Sequence, residues 1–388
     1  MAVTVLHNAT IYTGIARLPE SSLVMEDDHV VDVISRARFQ KRTWAPGTVI
    51  IDLDGLNLAP GFIDTHIHGL HGYGTEDGVV ESLVGMSEAL LQYGVTAFCP
   101  TLYPAAEDEL IQAVRAGATA RGLVRGAAIL GSHLEGPFIS GQRLGVQRPE
   151  TIRAVDLDLM KRIYEAAEGS ISIMTVAPEI KNMRELALYC HHYGTVLSAG
   201  HTDAEYENMV EGMQAGILHS THCFNAMRGL HHRNPGAVGA ILLHANLSTE
   251  IIADGYHVHP ALITLLMRCK PIDRIVLVTD ALKPTEQASG PFIANGEEVY
   301  LEDKLFHRKL DDVIAGSSLT MVEGLKNLVS FGIPLEVAVK MASSNPARIL
   351  RLPKMGEISP GYFADMALLS KDFEVELNMV KGEFVYRK

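Results

Sequence analysis

The sequence has few cysteines and no cysteine motif. Its four cysteines, Cys99, Cys190, Cys223 and Cys269, are widely separated, and no two of them form a Cys-x-x-Cys pair. Disulfide frameworks and cysteine zinc sites both require cysteines in characteristic spacings. We therefore expect small buried thiols rather than a redox or cysteine-metal motif. A reducing compartment, the cytoplasm, is the location that this predicts.

Long apolar runs and basic stretches are also missing. A membrane-spanning helix needs about 20 apolar residues, and no segment reaches that length. The first residues have no basic region of the kind that opens a signal peptide. The net charge is −13 with no basic run, which argues against a nucleic-acid partner. A phosphate-bearing substrate would therefore need a local cation.

Composition predicts a globular chain with two domains. The hydrophobic fraction is 47% and the charged fraction 20%, and 388 residues suffice for a large domain plus a small one. Short β-prone runs punctuated by glycine and proline fill the first 54 residues, and similar runs return near the end. We predict a small β-sandwich domain from residues 1–54 and 357–388, around a barrel domain of residues 55–356.

The middle of the chain alternates between apolar strand-like runs and helical patterns. The runs are residues 58–68, 95–102, 127–134, 170–176, 196–201, 217–224, 250–253 and 274–279. Between two of them, Met160, Ile163, Tyr164 and Ala167 follow helical spacing, with Asp156 as the N-cap. Eight strands alternating with helices predict an α/β fold of the (β/α)₈ TIM-barrel type. A doubly wound sheet is the alternative, but no glycine-rich phosphate-binding fingerprint follows any strand.

The first of these runs ends in a His-x-His pair. Side chains alternate along a strand, so His66 and His68 lie on one face with their Cα atoms about 7 Å apart. Two imidazoles at that spacing can converge on one metal ion. Two histidines at a barrel mouth or in a turn, without an ion, are the alternative.

Polar side chains also follow later strands. They are His133 and Glu135 at the end of the third run, His201 at the end of the fifth, His219 and His222 in the sixth, and Asp280 at the end of the eighth. A strand-end histidine alone can be a satisfied polar group, and a strand-end aspartate can cap a helix. Barrel enzymes, however, place their chemistry at these strand ends. Such a cluster is costly to bury without a compensating ion, so the set predicts a metal site.

Several segments resemble the N-acetylglucosamine-6-phosphate deacetylase branch of the amidohydrolase superfamily. They are PGFIDTHIHG at 60–69, HLEGPF at 133–138, AGHT at 199–202, THCFNAM at 221–227, DGYHVH at 254–259 and VTDA at 278–281. The resemblance extends over nearly the whole chain. In much of the superfamily a carboxylated lysine bridges two metals, whereas this branch uses the strand-three glutamate, here Glu135.

The resemblance implies a set of metal ligands. Glu135, His201 and His222 would hold the main ion, and His66, His68 and Asp280 would complete a second site that shares Glu135. Imidazole and carboxylate ligands without thiolate suit zinc, iron, manganese or cobalt about equally. One or two divalent ions are therefore expected. His219 is interpreted as structural, because the motif match places the ligand at His222.

The implied reaction is deacetylation of N-acetyl-D-glucosamine 6-phosphate to D-glucosamine 6-phosphate and acetate. Metal-generated hydroxide would attack the acetamide carbonyl, with Asp280 as general base and then general acid. A role for Asp280 as a ligand only stays open. The galactosamine epimer is the nearest alternative substrate. Dihydroorotase and dipeptidase activities fit Glu135 less well, and a non-catalytic scaffold would be expected to have lost ligands.

The resemblance also implies the substrate contacts. They are Asn225, the backbone of Ala226, Arg233 as the phosphate cation, and His257 against the sugar. Arg228 is the competing phosphate cation. A homodimer is implied too, with each site completed by residues of the neighbouring subunit.

Gln147 marks a departure from the family pattern. Some relatives have a histidine there that bonds the substrate carbonyl. Glutamine can donate a hydrogen bond but cannot become a cation. More of the carbonyl polarisation is therefore expected to come from the metal.

Overall fold

The computed structural model describes residues 3–287 and 292–388. In these residues the strands are, in chain order, β1 (Val3–Tyr12), β2 (Arg17–Glu26), β3 (His29–Ser35), β4 (Val49–Asp52), β5 (Asn57–Pro60), β6 (Phe62–Ile67), β7 (Gly69–Leu70), β8 (Tyr73–Gly74), β9 (Val95–Leu102), β10 (Ala128–Ile129), β11 (Ser132–Glu135), β12 (Ile171–Val176), β13 (Val196–Ala199), β14 (His219–Ser220), β15 (Thr249–Ile252), β16 (Ile275–Val278), β17 (Phe292–Ala294), β18 (Glu297–Glu302), β19 (Leu305–Arg308), β20 (Ile314–Ser317), β21 (Met366–Leu369), β22 (Val375–Val380) and β23 (Glu383–Arg387). The helices are α1 (Arg36–Lys41), α2 (Val80–Ala89), α3 (Glu107–Arg121), α4 (Leu157–Ala166), α5 (Met183–His192), α6 (Tyr206–Gln214), α7 (Gly236–Leu243), α8 (Pro260–Cys269), α9 (Met321–Ser330), α10 (Leu335–Ala342) and α11 (Ser344–Ile349).

The chain forms two compact units. One comprises the described residues of 1–64, 89–97 and 321–388, and the other those of 65–88 and 98–320. Both ends of the chain lie in the first unit. The limits of these units differ from the predicted domain limits, which were residues 1–54 with 357–388 and residues 55–356. The predicted domain limits stay a prediction.

The first unit contains a sheet built from both chain ends. Its strand order is β23-β22-β21-β5-β1-β2-β3, with β4 paired to β1. Strand β21, from the C-terminal part, runs antiparallel to β5, so the two ends of the chain share one sheet. Leu6, Leu23, Leu58, Met366 and Met379 are buried together in its core. This confirms the predicted small β domain formed from both termini.

The predicted run 58–68 is two strands rather than one. Strand β5 pairs with β1 and β21, whereas β6 pairs with β9. The break falls at Gly61, where a Cβ atom would meet the side chain of Thr96 at 2.1 Å. Only glycine allows this close approach. The chain therefore leaves one sheet at Gly61 and enters the next.

Most residues of the parallel strands lie in the second unit. The sheet order is β10-β9-β11-β12-β13-β14 with β6 beside β9, and β15 pairs parallel with β16. Backbone hydrogen bonds extend this order, because Cys223 N donates to Glu250 O at 3.0 Å and Asp280 N donates to His66 O at 2.9 Å. Strands β6, β9 and β11–β16 thus correspond to the eight predicted runs. The α/β fold class is confirmed, and the strand order is consistent with a (β/α)₈ barrel.

Helices pack beside these strands as the sequence pattern predicts. Asp156 caps α4, since its side chain accepts a hydrogen bond from the backbone N–H of Leu159. Met160, Ile163 and Tyr164 are buried on one face of that helix. Within residues 3–287 and 292–388, no helix combines the length and the apolar character that crossing a membrane requires.

A four-stranded antiparallel sheet, β17-β18-β19-β20, was not predicted from the sequence. A signal for it exists, because Asn295-Gly296 joins β17 to β18 with both residues at positive φ, 51° and 74°. That dipeptide is a strong hairpin signal. Val299 and Phe306 of this sheet are buried in one cluster with Tyr103.

Candidate metal centre and active site

Three predicted site residues occupy the same kind of backbone position. His201, His222 and Asp280 each lie two residues beyond the end of a strand, after β13, β14 and β16. All three have positive φ, at 45°, 28° and 52°. Left-handed backbone is unfavourable for residues with a Cβ atom and is concentrated at functional sites, where the surroundings hold it in place. These turns are therefore a sign of function that the sequence alone does not show.

Glu135 lies at the centre of the site. Its Oε1 atom is 2.9 Å from His201 Nε2 and 3.1 Å from His222 Nε2. The two histidine Nε2 atoms are themselves 3.2 Å apart. All three side chains are buried. The predicted main-ion ligands therefore converge in space.

The second predicted group lies against the same carboxylate. Asp280 Oδ1 is 3.4 Å from His66 Nε2 and 3.4 Å from His68 Nε2. The same two ring nitrogens lie 3.4 Å and 3.5 Å from the oxygens of Glu135. The structure thus brings all six predicted ligands together, and their role as ligands stays a proposal.

The opposite ring nitrogens fix the tautomers of three of these histidines. The contacts are His68 Nδ1 to Thr101 O at 3.0 Å, His201 Nδ1 to Arg143 O at 3.1 Å, and His66 Nδ1 to Glu250 Oε2 at 2.9 Å. Each partner is an acceptor, so each Nδ1 carries the proton. When a metal ion binds, Nε2 is then the ring atom that meets it, as in metal-binding histidines generally.

The carboxylates of the cluster stay ionised. Burial alone would raise the pKa of Glu135, but His201 and the other neighbouring rings lower it well below its usual range. For Asp280, burial likewise opposes the ionised form, whereas His66 and His68 lower its pKa below the ordinary value. Burial alone would lower the pKa of His66, yet the surrounding carboxylates raise it well above the ordinary range. The buried carboxylates thus draw protons onto the rings, and a divalent cation can replace those protons at the same atoms.

The donor set fits divalent ions. Two buried Nε2 lone pairs only 3.2 Å apart repel each other unless a proton or a cation lies nearby. The ligand atoms of each group, His66–His68–Asp280 and Glu135–His201–His222, lie within 4.8 Å of one another. Imidazole and carboxylate donors at such spacing suit a transition-metal ion.

A third cluster, His66, His133 and Glu250, also has metal-like spacing. Both nitrogens of His133 are already used, because Nδ1 lies 3.0 Å from Thr65 O and Nε2 lies 2.8 Å from Thr175 Oγ1. Burial lowers the pKa of His133 to about 3, so the ring is neutral and donates one hydrogen bond and accepts the other. This cluster is a hydrogen-bonded support beneath the site.

A cavity of about 260 Å³ opens onto the predicted ligands. Four predicted substrate residues line it, namely Gln147, Asn225, Ala226 and His257. His257 is held by Asp254, whose Oδ2 atom is 2.6 Å from His257 Nδ1. That contact leaves His257 Nε2 as the ring atom that can meet a ligand.

The two candidate phosphate cations differ in their surroundings. Arg228 forms ion pairs with Asp203 and, at 2.9 Å, with Glu205. Arg233 is exposed, lies outside the cavity lining, and donates to His232 Nε2 at 2.7 Å. The guanidinium of Arg228 is therefore committed to carboxylates, which favours Arg233 as the cation for a ligand.

Gln147 both lines the cavity and forms a hydrogen bond to Glu135, a predicted metal ligand. Its Nε2 donates to Glu135 Oε2 at 2.6 Å, while its Oε1 is buried without a hydrogen-bond partner among the described residues. One of the two side-chain N–H groups is thus engaged by a predicted ligand. The larger share of carbonyl polarisation assigned to the metal stays a prediction.

Sequence reasoning missed two residues of the site. Glu250 is fully buried against His66, and its signal was a lone carboxylate within the apolar run 250–253. Tyr103 lines the cavity and stacks on His68 with ring centroids 3.8 Å apart. No local pattern distinguishes Tyr103 from the other tyrosines of the chain.

Comparison with known proteins identifies the family. A model described as "Amidohydrolase family" matches residues 57–385, most of the chain. The chain belongs to the amidohydrolase family. Members of this family depend on divalent metal ions, and this amidohydrolase carries residue groups that can hold them.

Known amidohydrolases resemble the whole chain. It is 35% identical to N-acetylglucosamine-6-phosphate deacetylase of Vibrio furnissii over 339 residues, which is 87% of this chain and 84% of that protein. It is 31% identical to N-acetylgalactosamine-6-phosphate deacetylase of Escherichia coli O157:H7, over 86% of this chain and 89% of that protein. A solved Mycobacterium smegmatis N-acetyl-D-glucosamine-6-phosphate deacetylase mutant, in complex with N-acetyl-D-glucosamine-6-phosphate, is 29% identical with a TM-score of 0.91, covering 99% of this chain and 100% of that chain.

A second cavity of this amidohydrolase, of about 400 Å³, is lined by Glu76, Arg148 and Lys283, among others. Glu76 Oε1 accepts a hydrogen bond from Asn295 N at 3.1 Å, while Oε2 is buried without a partner among the described residues. Burial raises the pKa of Glu76 from 4.5 to about 7, although Lys283 acts in the opposite direction. The folded protein therefore binds this proton more tightly than the unfolded chain does.

The raised pKa makes stability depend on pH. Stability contributed by neutral Glu76 is complete below pH 4.5 and is lost as the pH rises to about 7. We expect Glu76→Gln to raise the melting temperature by about 4 °C at pH 8, since a pKa raised from 4.5 to about 7 corresponds to about 3 kcal/mol, and by progressively less towards pH 4.5. Thermal unfolding across this pH range measures the difference. Glu88→Gln, at an exposed glutamate, should show no such trend. An effect of Glu76→Gln that is equal at all pH values would contradict the assignment.

Proposed function

We propose that this amidohydrolase removes the acetyl group of N-acetyl-D-glucosamine 6-phosphate, giving D-glucosamine 6-phosphate and acetate. The observation that carries the proposal is the convergence of four histidine Nε2 atoms on Glu135 and Asp280 at the base of a cavity. The likeness to deacetylases over most of the chain supports this substrate class.

Glu135, His201 and His222 would hold one divalent ion. His66, His68 and Asp280 would hold a second that shares Glu135. A divalent ion, when bound, supplies a Lewis acid that polarises the acetamide carbonyl and lowers the pKa of water towards neutrality. Zinc, iron, manganese and cobalt all accept this donor set, and zinc stays a prediction.

Asp280 is the proposed general base. Its lowered pKa keeps it a carboxylate at neutral pH, so it can accept a proton from the attacking water. It would then donate that proton to the leaving amine as the C–N bond breaks. A ligand role for the same carboxylate is compatible with this transfer.

The cavity residues would orient the sugar. His257, fixed through Nδ1 by Asp254, offers Nε2 to a sugar hydroxyl, and Asn225 offers a side-chain amide. Arg233 is exposed and does not line the cavity of its own chain. In the predicted homodimer it would meet the phosphate group bound in the site of the neighbouring subunit. The homodimer and the cytoplasmic location stay predictions.

Acetate release from three sugars tests the proposed reaction. We expect fast release from N-acetyl-D-glucosamine 6-phosphate and little from N-acetyl-D-glucosamine, because the phosphate supplies binding energy. The galactosamine epimer is the second candidate substrate, since one relative at 31% identity is a deacetylase of that sugar phosphate. A higher kcat/KM for the galactosamine epimer than for N-acetyl-D-glucosamine 6-phosphate would make the epimer the preferred substrate. Equal rates with and without phosphate would contradict a phosphate site.

Replacing Arg233 tests the phosphate cation. A charge-assisted hydrogen bond is worth about 1.5–3 kcal/mol, so Arg233→Ala should raise KM for the phosphorylated sugar by about 10–100-fold with little change in kcat. Arg228→Ala, which removes a guanidinium paired with Asp203 and Glu205, is the comparison variant. A larger rise in KM for Arg228→Ala than for Arg233→Ala would assign the phosphate to Arg228 instead.

A further inference from the structure

Glu250 is a buried carboxylate that links both predicted ligand groups. It lies in β15 and is fully buried. Its Oε2 atom is 2.9 Å from the Nδ1 atom of His66 and accepts a hydrogen bond from the backbone N–H of His222 at 3.2 Å. Its Oε1 atom is 3.5 Å from His219 Nε2. One side chain thus contacts a histidine of each group.

The contact with His66 decides which ring nitrogen carries the proton. A carboxylate can only accept, so Nδ1 of His66 carries a hydrogen and Nε2 is the nitrogen that a metal ion would meet. That nitrogen faces the carboxylates of Glu135 and Asp280, each 3.4 Å away. Carboxylates behind a ligating histidine fix ring orientation in this way and raise its basicity.

The contact with His222 acts on the backbone. His222 has φ of 28°, in the left-handed region that is unfavourable for a residue with a side chain. Cys223 N donates to the backbone carbonyl of Glu250 at 3.0 Å, so two successive N–H groups of this turn bond to one residue. Glu250 therefore holds the turn that directs the His222 ring towards Glu135.

We infer that Glu250 is a positioning residue that prepares His66 and His222 for metal binding. This inference rests on the proposed metal-dependent function. Glu250 is absent from the described residues that line the cavity. Replacing it should therefore change metal affinity and kcat rather than KM. A merely structural role, as a partner of His219, would leave metal affinity unchanged.

The variant Glu250→Gln separates these roles. Its amide N–H₂ can donate to His66 Nδ1, which would move the ring proton to Nε2 and block the lone pair. We expect metal affinity to fall by about 10–100-fold and kcat by a similar factor, with KM little changed. Metal content after dialysis against graded zinc, and the visible absorption of the cobalt(II)-substituted protein, give readouts independent of activity.

Controls keep the inference separate from the proposed function. Asp365→Asn alters another buried carboxylate, one that accepts from Lys381 N, and should leave metal affinity and kcat unchanged. Wild-type metal affinity and kcat in Glu250→Gln would overturn the inference while leaving the function intact. A wild-type protein that binds no metal and releases no acetate would overturn both.

A measurement on the wild-type protein does not depend on variant folding. In metal-free protein labelled with ¹⁵N-histidine, His66 should carry a hydrogen on Nδ1, whether or not Nε2 is protonated as well. The His66 signals are assigned by their loss in His66→Asn. An Nε2–H tautomer for the neutral ring would overturn the role assigned to Glu250, even if Glu250→Gln failed to fold.

Discussion

Asp280→Asn should lower the rate of acetate release by about 10³-fold. Positioned general acid–base catalysis typically contributes about 10²–10⁴-fold, and asparagine cannot accept the proton of the attacking water. The amide keeps the size of the side chain and can still offer Oδ1 to the rings of His66 and His68, which lie 3.4 Å from Oδ1 of the wild-type carboxylate. The loss should therefore appear in kcat, with KM little changed.

Metal content must be measured on the same Asp280→Asn preparation. If the protein keeps one ion per chain and loses activity, the carboxylate acts in proton transfer. Asp158→Asn, at an exposed aspartate in the first turn of α4, is the control and should match the wild-type rate. An Asp280→Asn protein with more than a tenth of wild-type kcat would show that another group is the base.

Glu135→Gln should remove metal and activity together. Glu135 is the carboxylate that both ligand groups approach, with His201 and His222 at 2.9 Å and 3.1 Å from Oε1. An amide carries no charge, and its N–H₂ group would face lone pairs on the rings or on the ion. Removing the shared ligand therefore weakens both groups at once. We expect metal content close to zero after dialysis and a loss of acetate release of at least about 10³-fold.

The control for Glu135→Gln is Glu88→Gln, which removes an exposed carboxylate and should keep full metal content. Far-ultraviolet circular dichroism of both variants establishes that they are folded. If Glu135→Gln kept its full complement of ions and lost only activity, Glu135 would act on the substrate rather than as the shared ligand.

The eight parallel strands could be predicted because strands buried on both faces are continuous apolar runs bounded by glycine or polar residues. Strand β9, predicted at residues 95–102, is observed as Val95–Leu102, fully buried along its length. The break between β5 and β6 could not be predicted in the same way. It depends on the approach of Thr96 to Gly61, and these residues are far apart in the sequence.

The candidate site shows a similar division. The ligand residues could be proposed from strand-end position and family resemblance, because both are read along the chain. Glu250 acts through His66, which is 184 residues away in the sequence, and Tyr103 acts through His68. Neither pairing is visible along the chain. Ring tautomers depend on such distant partners as well. The hairpin after Asn295-Gly296 does have a local signal, because Val299 and Leu301 alternate with Glu298 and Glu302 in the period-2 pattern typical of a strand.

The most direct test of the account is acetate release from N-acetyl-D-glucosamine 6-phosphate as metal is returned to metal-free protein. The apoprotein, prepared with a chelator and verified by metal analysis, should be inactive. Activity should rise in proportion to bound ion and level off at one or two ions per chain, as the two ligand groups around Glu135 require. Full activity in protein with no bound metal, or none in fully metallated protein, would contradict the account.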